Sequence, residues 1–452
     1  MQAKLSLKNA ALGLCLLSGS VLADPPADGD FAPWGPFLLG KNFVQFNLPG
    51  SSFTDAAADS VVGPDGSLYV AGTVASSGGS RFGIAKFNPA GFLDFKNQSL
   101  ETSVTATSVA LSGDFLLVAG YKTISGTDRD FIVCRFSAVS GANFNFPAPV
   151  NAPCVKPLVS SGNLDQASDI AVQTDGKFVV GGTMSIGAGS FAAFARFNPN
   201  GGPDLSFGDF PNSNVSLIRN DAVFSRHTIN GIAIANNGKI VGVGETVFQG
   251  GSQVAGLLVR LNSDGTQDDL GAQKERAFFI AQNGTTSMND VVLVDDPNSA
   301  DDAIVAVGIR DVGGGNVGGV IAKLRSNGSG LDTNFGASGG HTTISVAGNL
   351  VFNRVAVQPG MGFLIVGDRP GSDSLDIEVR RFTHKGFTDI DFGNSGNVTI
   401  DFGFPGETDE AAGISVHHDG VYFSGSSFIG NQDVDMVVGK LVLDRIFEDG
   451  FE

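Results

Sequence analysis

Short runs of alternating hydrophobic and polar residues fill nearly the whole chain, broken by turns rich in Gly, Asp, Asn and Pro. The clearest stretch is 168–218. Ser168, Asp169, Ile170, Ala171 and Val172 run into Thr174-Asp175-Gly176, and residues 177–182 follow as a second run. Alternation of this kind marks a strand, and an Asp-Gly step between two such runs marks a hairpin. A third strand is predicted over 191–197, a turn at Asn198-Pro199-Asn200-Gly201, and a fourth strand over 214–218. Four strands joined by short turns form one antiparallel sheet.

The pattern comes round seven times with a period near sixty residues. Each unit has a glycine at the end of its second strand: Gly72, Gly120, Gly182, Gly244, Gly308, Gly367 and Gly425. Each has a basic residue near the end of its third strand: Lys86, Arg135, Arg196, Arg260, Lys323, Arg381 and Lys440. Strand-rich repeats of this length predict an all-β propeller, here of seven four-stranded blades. The second unit is short and lacks a clean Asp-Gly turn, and the fifth carries an insertion at 295–302. The seventh unit ends after its third strand, near Leu443. A spare strand at 42–48 is expected to complete it, which removes an open edge.

The hairpin Thr174-Asp175-Gly176-Lys177-Phe178-Val179-Val180-Gly181-Gly182 and the strand and turn at 195–201 carry a family resemblance. So does a closing Leu-Asp-x-x-Phe-Gly element at 331–336, which recurs at 389–393 and 204–208. Over about residues 55 to 445 the chain resembles the delta-60 repeat family. The resemblance implies a bacterial, exported, propeller-like protein and no particular activity.

Residues 1–23 have the form of a secretory signal: Lys4 and Lys8, an apolar run at 10–17, and Val21-Leu22-Ala23 as the cleavage site. Export to the periplasm or the medium is expected. Residues 24–41 form a Pro-rich leader, 42–445 the propeller, and 446–452 a tail. That tail resembles the ending of some exported proteobacterial proteins. No later run of apolar residues is long enough to span a membrane.

Two cysteines remain after the signal, Cys134 in a third strand and Cys154 where a fourth should run. Neighbouring antiparallel strands and an oxidising compartment predict a disulfide, with two free thiols as the alternative. The net charge of −18 excludes nucleic acid and anionic membrane surfaces as partners. Phe is abundant at 36, whereas three Tyr and one Trp leave little for carbohydrate-stacking platforms.

The seven basic residues admit two readings. They line a channel and bind an anion, or they pair with acids within each blade. Candidate acids are Asp59 for Lys86, Asp169 for Arg196 and Asp290 for Lys323, or alternatively the Asp of the closing element. A residue repeated in every unit normally serves the unit, so the structural reading is favoured. Asp128 and Asp130, Asp373 and Asp376, and Asp433 and Asp435 recur before the third strand. They leave calcium as a minor alternative to solvated loop acids, and no other cofactor is expected.

The run at 336–340 fits G-x-S-x-G without the strand-to-helix setting of a nucleophile elbow. The adjacent His417 and His418 would face opposite ways in a strand. No catalytic set emerges. The expectation is a monomeric, non-catalytic binding or surface scaffold whose partner is an unidentified protein or surface ligand. The alternative is a propeller hydrolase or lyase with a site assembled at the channel from several blades.

Overall fold

The computed structural model describes residues 40–46, 54–158, 163–187, 189–208, 212–218, 224–248, 250–251, 253–268, 275–278, 284–296, 299–371, 374–402, 408–428 and 434–441. The expected signal, most of the leader and the tail lie outside them. Every regular element among the described residues is a β-strand.

Each repeat unit supplies strands that pair antiparallel in chain order. The first blade is Asp55–Val62, Leu68–Val74, Arg81–Phe87 and Leu93–Gln98. The third is Gln166–Val172, Phe178–Ile186, Gly189–Phe197 and Val215–Ile218. The same order gives blade 2 over 104–155, blade 4 over 224–278, blade 5 over 286–344 and blade 6 over 351–400. Blades 3 and 4 are additionally linked by one parallel bridge, Ser190 to Arg226. Consecutive first strands touch one another, and the first strand of the seventh unit, Asp409–His417, touches that of the first. The chain is therefore a closed β-propeller with its first strands around the axis.

Hydrophobic alternation on each strand faces two neighbours, so the core lies between blades rather than inside one sheet. One cluster joins Leu117, Phe131 and Val133 of blade 2 to Phe178, Val180 and Ala195 of blade 3. Within it Phe146, Phe178 and Phe197 stack at centroid spacings of 5.9 and 5.1 Å. This is where the abundant Phe goes: it fills wedge-shaped gaps without demanding a hydrogen-bond partner.

The seventh unit is completed from the other end of the chain. Gly40–Val44 pairs antiparallel with Val434–Leu441, Gly40 opposite Lys440 and Val44 opposite Met436. The strand begins two residues earlier than the 42–48 expected. Alternation sends Phe43 into the cluster with Phe423, Val437 and Leu441 of blade 7, and Val44 into the cluster with Leu68 and Val70 of blade 1. The Asn42 amide donates to the Gly91 carbonyl of blade 1 at 2.9 Å. One short strand thus serves two blade interfaces.

Blade 2 departs most. Its fourth strand is only Cys154–Val155, opposite Val133 and Cys134 of Asp128–Ser137. Cys134 and Cys154 face each other in this register and are joined as a disulfide.

Phe43 is 4% exposed. Phe43→Ala should therefore cost about 3–5 kcal/mol in denaturant unfolding. Unchanged stability would show that the closing strand does not hold the ring.

Candidate functional site

The seven repeat glycines share one environment. A Cβ on Gly72 would fall on the Ala56 carbonyl, on Gly120 the Thr105 carbonyl, on Gly182 the Gln166 carbonyl and on Gly244 the Thr228 carbonyl. Gly308, Gly367 and Gly425 meet the carbonyls of Ser287, Val351 and Glu410 in the same way. The cause is a β-bulge in every first strand, where the pairing register skips one residue beside the glycine. The skipped residues are Ala58, Thr107, Ser168, Asn230, Asn289, Asn353 and Ala412. The residues after them are Asp59, Ser108, Asp169, Gly231, Asp290, Arg354 and Gly413.

Five of these seven, Asp59, Ser108, Asp169, Asp290 and Arg354, form a largely buried polar ring around the axis, interrupted by Gly231 and Gly413. Asp59 accepts from its own following N–H, that of Ser60, at 2.8 Å, and from the Val109 N–H of blade 2 at 3.2 Å. Asp169 does the same with Ile170 at 2.9 Å and Ile232 of blade 4 at 2.8 Å. Asp290 repeats it with Val291 and with Val355 of blade 6, both at 2.8 Å. Each odd-numbered blade thus clasps the even-numbered blade after it. The Ser108 hydroxyl lies 2.8 Å from Asp59 and 2.7 Å from Asp169, joining two clasps. In blade 7 the equivalent position is Gly413, which has no side chain to make such a clasp. There Gly413 packs directly against the Ser60 backbone.

Arg354 is the counter-ion. Its Nε lies 4.0 Å from Asp59 Oδ1, and its Nη2 donates to the Thr107 carbonyl at 3.2 Å, with both charged side chains about 14% exposed. Three carboxylates face one guanidinium. Burial is the main force raising the Asp59 carboxyl, opposed by Arg354. Burial likewise pushes Asp290 up to about 7, opposed by Arg354 and reinforced by Asp169. The three acids hold the guanidinium in its charged form against the cost of burial.

The repeated cations lie elsewhere. The pairs Asp59–Lys86, Asp169–Arg196 and Asp290–Lys323 are not formed, because the bulge turns those acids into the ring. The cations instead take the closing-element acids. Arg196 meets Asp204 at 2.8 Å, Arg260 meets Asp268 at 2.6 Å, and Arg381 meets Asp389 at 2.8 Å. Lys323 meets Asp332 at 3.4 Å and Lys86 meets Asp94 at 3.6 Å. Arg196 and Arg260 also donate to the next blade, at the Ser263 and Ser326 carbonyls.

Two units improvise. Phe144 stands where the closing acid would be, its N–H on the Arg135 carbonyl as Asp204 N–H is on that of Arg196. Arg135 accordingly stacks over Phe115 at 3.5 Å. Lys440 uses Asp419 of its own first hairpin at 2.6 Å. Hydrogen bonds and charge from Lys440, with help from His417 and Tyr422, hold Asp419 down to about 2 despite its burial.

Of the acid pairs considered for calcium, Asp130 pairs with Lys156 at 3.0 Å, and Asp373 and Asp433 lie outside the described residues. Among the described residues no group of three His, Cys, Asp or Glu is arranged to hold a metal ion. The strand ends at His417, so strict alternation stops there and the His417 and His418 rings lie 3.9 Å apart. His417 is committed to Asp419 at 2.6 Å. Ser338 sits in a turn, its N–H on the His341 carbonyl.

Above the ring, where the first strands of blades 1–3 begin, lies an open depression of about 410 Å³. It is lined by Ala56–Ala58, Thr73, Thr105–Thr107, Ser168 and Asn230. The lining is neutral, and the ring residues Asp59, Ser108 and Asp169 directly follow Ala58, Thr107 and Ser168 of the lining in the chain. Arg354 was not singled out from the sequence. The available signal is positional: Asp59, Asp169 and Arg354 each stand thirteen residues before their repeat glycine.

Residues 63–94, 173–207 and 235–269 match the family model described as a domain of unknown function (DUF5122) beta-propeller. Solved structures of similar fold include polysaccharide lyase Uly1, at 9% identity and TM-score 0.48, over 89% of this chain and 92% of that one. The beta-propeller domain of the Trilobed protease from Pyrococcus furiosus matches at 10% identity and TM-score 0.40, over 88% and 98% of the two chains. Trypanosoma rangeli sialidase in complex with the inhibitor DANA matches at 11% identity and TM-score 0.39, over 88% and 59%. No curated protein sequence matches the chain.

Two outcomes follow from the ring. Arg354→Met strands three buried carboxylates and should destabilise by about 3–5 kcal/mol in denaturant unfolding; wild-type stability would refute the counter-ion role. Asp290 and Asp59 bind protons more tightly folded than unfolded. Their contribution is therefore fully present below the unfolded carboxyl pKa near 4; that of Asp290 is lost as pH rises through about 7, and that of Asp59 is lost in the same direction. Asp204 and Asp419, held down to about 2, act in the opposite sense only below about pH 4. The melting temperature should rise as pH is lowered from 8 to 5, and a fall over that range would contradict the assignment.

Proposed function

We propose that the protein is an exported, non-catalytic propeller that binds a partner or surface ligand. Export is supported by the signal-like pattern of residues 1–23. The observation that carries the binding reading is the state of the channel acids. The oxygens of Asp59, Asp169 and Asp290 are committed to backbone N–H groups and to Ser108. Asp290 accepts from the Val291 and Val355 N–H groups, one on each oxygen. A general base needs an oxygen within reach of a substrate proton. The depression a ligand would enter is lined by alanine, threonine, serine and asparagine, with no acid, base or activated nucleophile.

One observation favours the alternative, a propeller enzyme with its site at the channel. A carboxyl titrating near 7 beside a depression has the pKa of a general acid or base. Asp290 does not line that depression, and its shift follows from burial and from Asp169 without any catalytic demand.

Asp290→Asn separates the two readings. The carboxamide keeps one acceptor oxygen and removes the titrating group. On a panel of chromogenic esters, glycosides and polysaccharides, the wild type should show no turnover above that of the Asn variant. Turnover of any member by the wild type that Asp290→Asn abolishes would replace the scaffold reading with the enzyme.

A further inference from the structure

We propose that the depression over blades 1–3 is a receptor site for a single amino or guanidino group carried on an alkyl chain. This deepens the binding reading above and rests on it.

Elsewhere in the ring side-chain amides fill the same place. In blades 4, 5 and 6 the skipped residue of the bulge is asparagine. The Asn230 amide donates to the Met288 carbonyl of the next blade at 2.8 Å, and Asn289 to that of Phe352 at 2.9 Å. Asn353 donates to that of Ala411, also at 2.9 Å. Three amides therefore bridge three blade junctions around the mouth. In blades 1, 2 and 3 the same position holds Ala58, Thr107 and Ser168. Alanine has no donor, and Thr107 turns its hydroxyl back to the Ala119 carbonyl of its own blade at 3.2 Å. Ala58, Thr107 and Ser168, the three positions without the amide, all stand on the wall of the depression, which ends at Asn230, the first of the bridging amides. A nitrogen donor from outside fits the gap that the Asn side chains fill on the other half of the ring.

Charge selects which donor. Asp59 and Asp169 directly follow Ala58 and Ser168 of the lining in the chain. Among the described residues Arg354, on the Thr107 carbonyl and beside Asp59, is the one cation facing these two acids, so the acids next to the lining outnumber it. A cation gains from that field and an anion is repelled. A neutral amide gains only its hydrogen bonds. The half-buried Ala56, Ala57 and Ala58 on the lining give an alkyl stem apolar wall to lie along. The volume of about 410 Å³ is that of a small-ligand site rather than a polymer groove.

The probes are N-acetyl-arginine N-methylamide, n-butylammonium and the uncharged isostere N-acetyl-citrulline N-methylamide, titrated by ligand-observed NMR. The arginine derivative should bind at least about tenfold tighter than the citrulline one, the equivalent of one charge-assisted contact. Ala58→Asn with Thr107→Asn installs the amides of blades 4–6 and should weaken arginine binding about tenfold or more with the melting temperature retained. If that pair fails to fold, Ser168→Asn alone carries the same expectation. Binding of the arginine derivative without butylammonium assigns the source to a polypeptide side chain; binding of both shows that a small amine suffices.

Equal affinity for arginine and citrulline would overturn the proposal. So would unaltered binding to Asn variants that melt like the wild type, or no binding of either cation to the wild type. None of these touches the scaffold reading, which fails only on turnover lost in Asp290→Asn.

Discussion

The close approach of the first-strand backbone to one glycine is the contact on which the rest of the ring depends. At Gly182 the Gln166 carbonyl occupies the space a Cβ would take, and six other units repeat the arrangement. Any side chain there would push the first strand away and remove its bulge. Without the bulge, Asp169 would keep strict alternation and would not reach the Ile232 N–H of the next blade. The glycine therefore does more than end a hairpin. It turns a local strand irregularity into a tie between blades, which sheet pairing alone does not supply.

Two layers of polar ties follow the same economy at different radii. Near the axis, carboxylates accept from backbone N–H groups of the neighbouring blade. Farther out, Arg196 and Arg260 hold their own closing acid and reach a turn carbonyl of the next blade. Between the layers the contacts are apolar, aliphatic side chains with Phe set among them. The outer layer tolerates substitution, as the Arg135 stack on Phe115 and the Lys440–Asp419 pair show. The inner layer varies by position instead, running Asp, Ser, Asp, Gly, Asp, Arg, Gly around the ring.

The repeat architecture was legible because glycine and turn chemistry are local. Gly176 adopts φ +81° in its hairpin and Gly66 φ +76°, conformations that favour glycine, and both stand in Asp-Gly steps. Closure by an N-terminal strand was legible from strand counting, although its start at Gly40 was not, since Gly-Lys-Asn carries little β-propensity. The ring was much less legible. Asp169 and Arg196 look like partners because both recur, yet the choice between Asp169 and Asp204 turns on a one-residue register skip. Alternation cannot report such a skip, because it shifts every later side chain by one. Arg354 was invisible for a different reason: its partners Asp59 and Thr107 belong to blades nearly 300 and 250 residues away in the chain.

The clasp between an odd blade and the even blade after it has a bearing on how such a ring can grow. Blades 1 and 2, 3 and 4, and 5 and 6 are matched couples, and blade 7 stands alone with Gly413 at the seam. Duplicating or deleting a single repeat would set two acids side by side or leave two acceptor-less blades adjoining. Duplicating or deleting a couple would leave every remaining clasp intact. The smallest piece that carries a whole clasp is therefore a couple of blades, twice the length at which the sequence itself repeats.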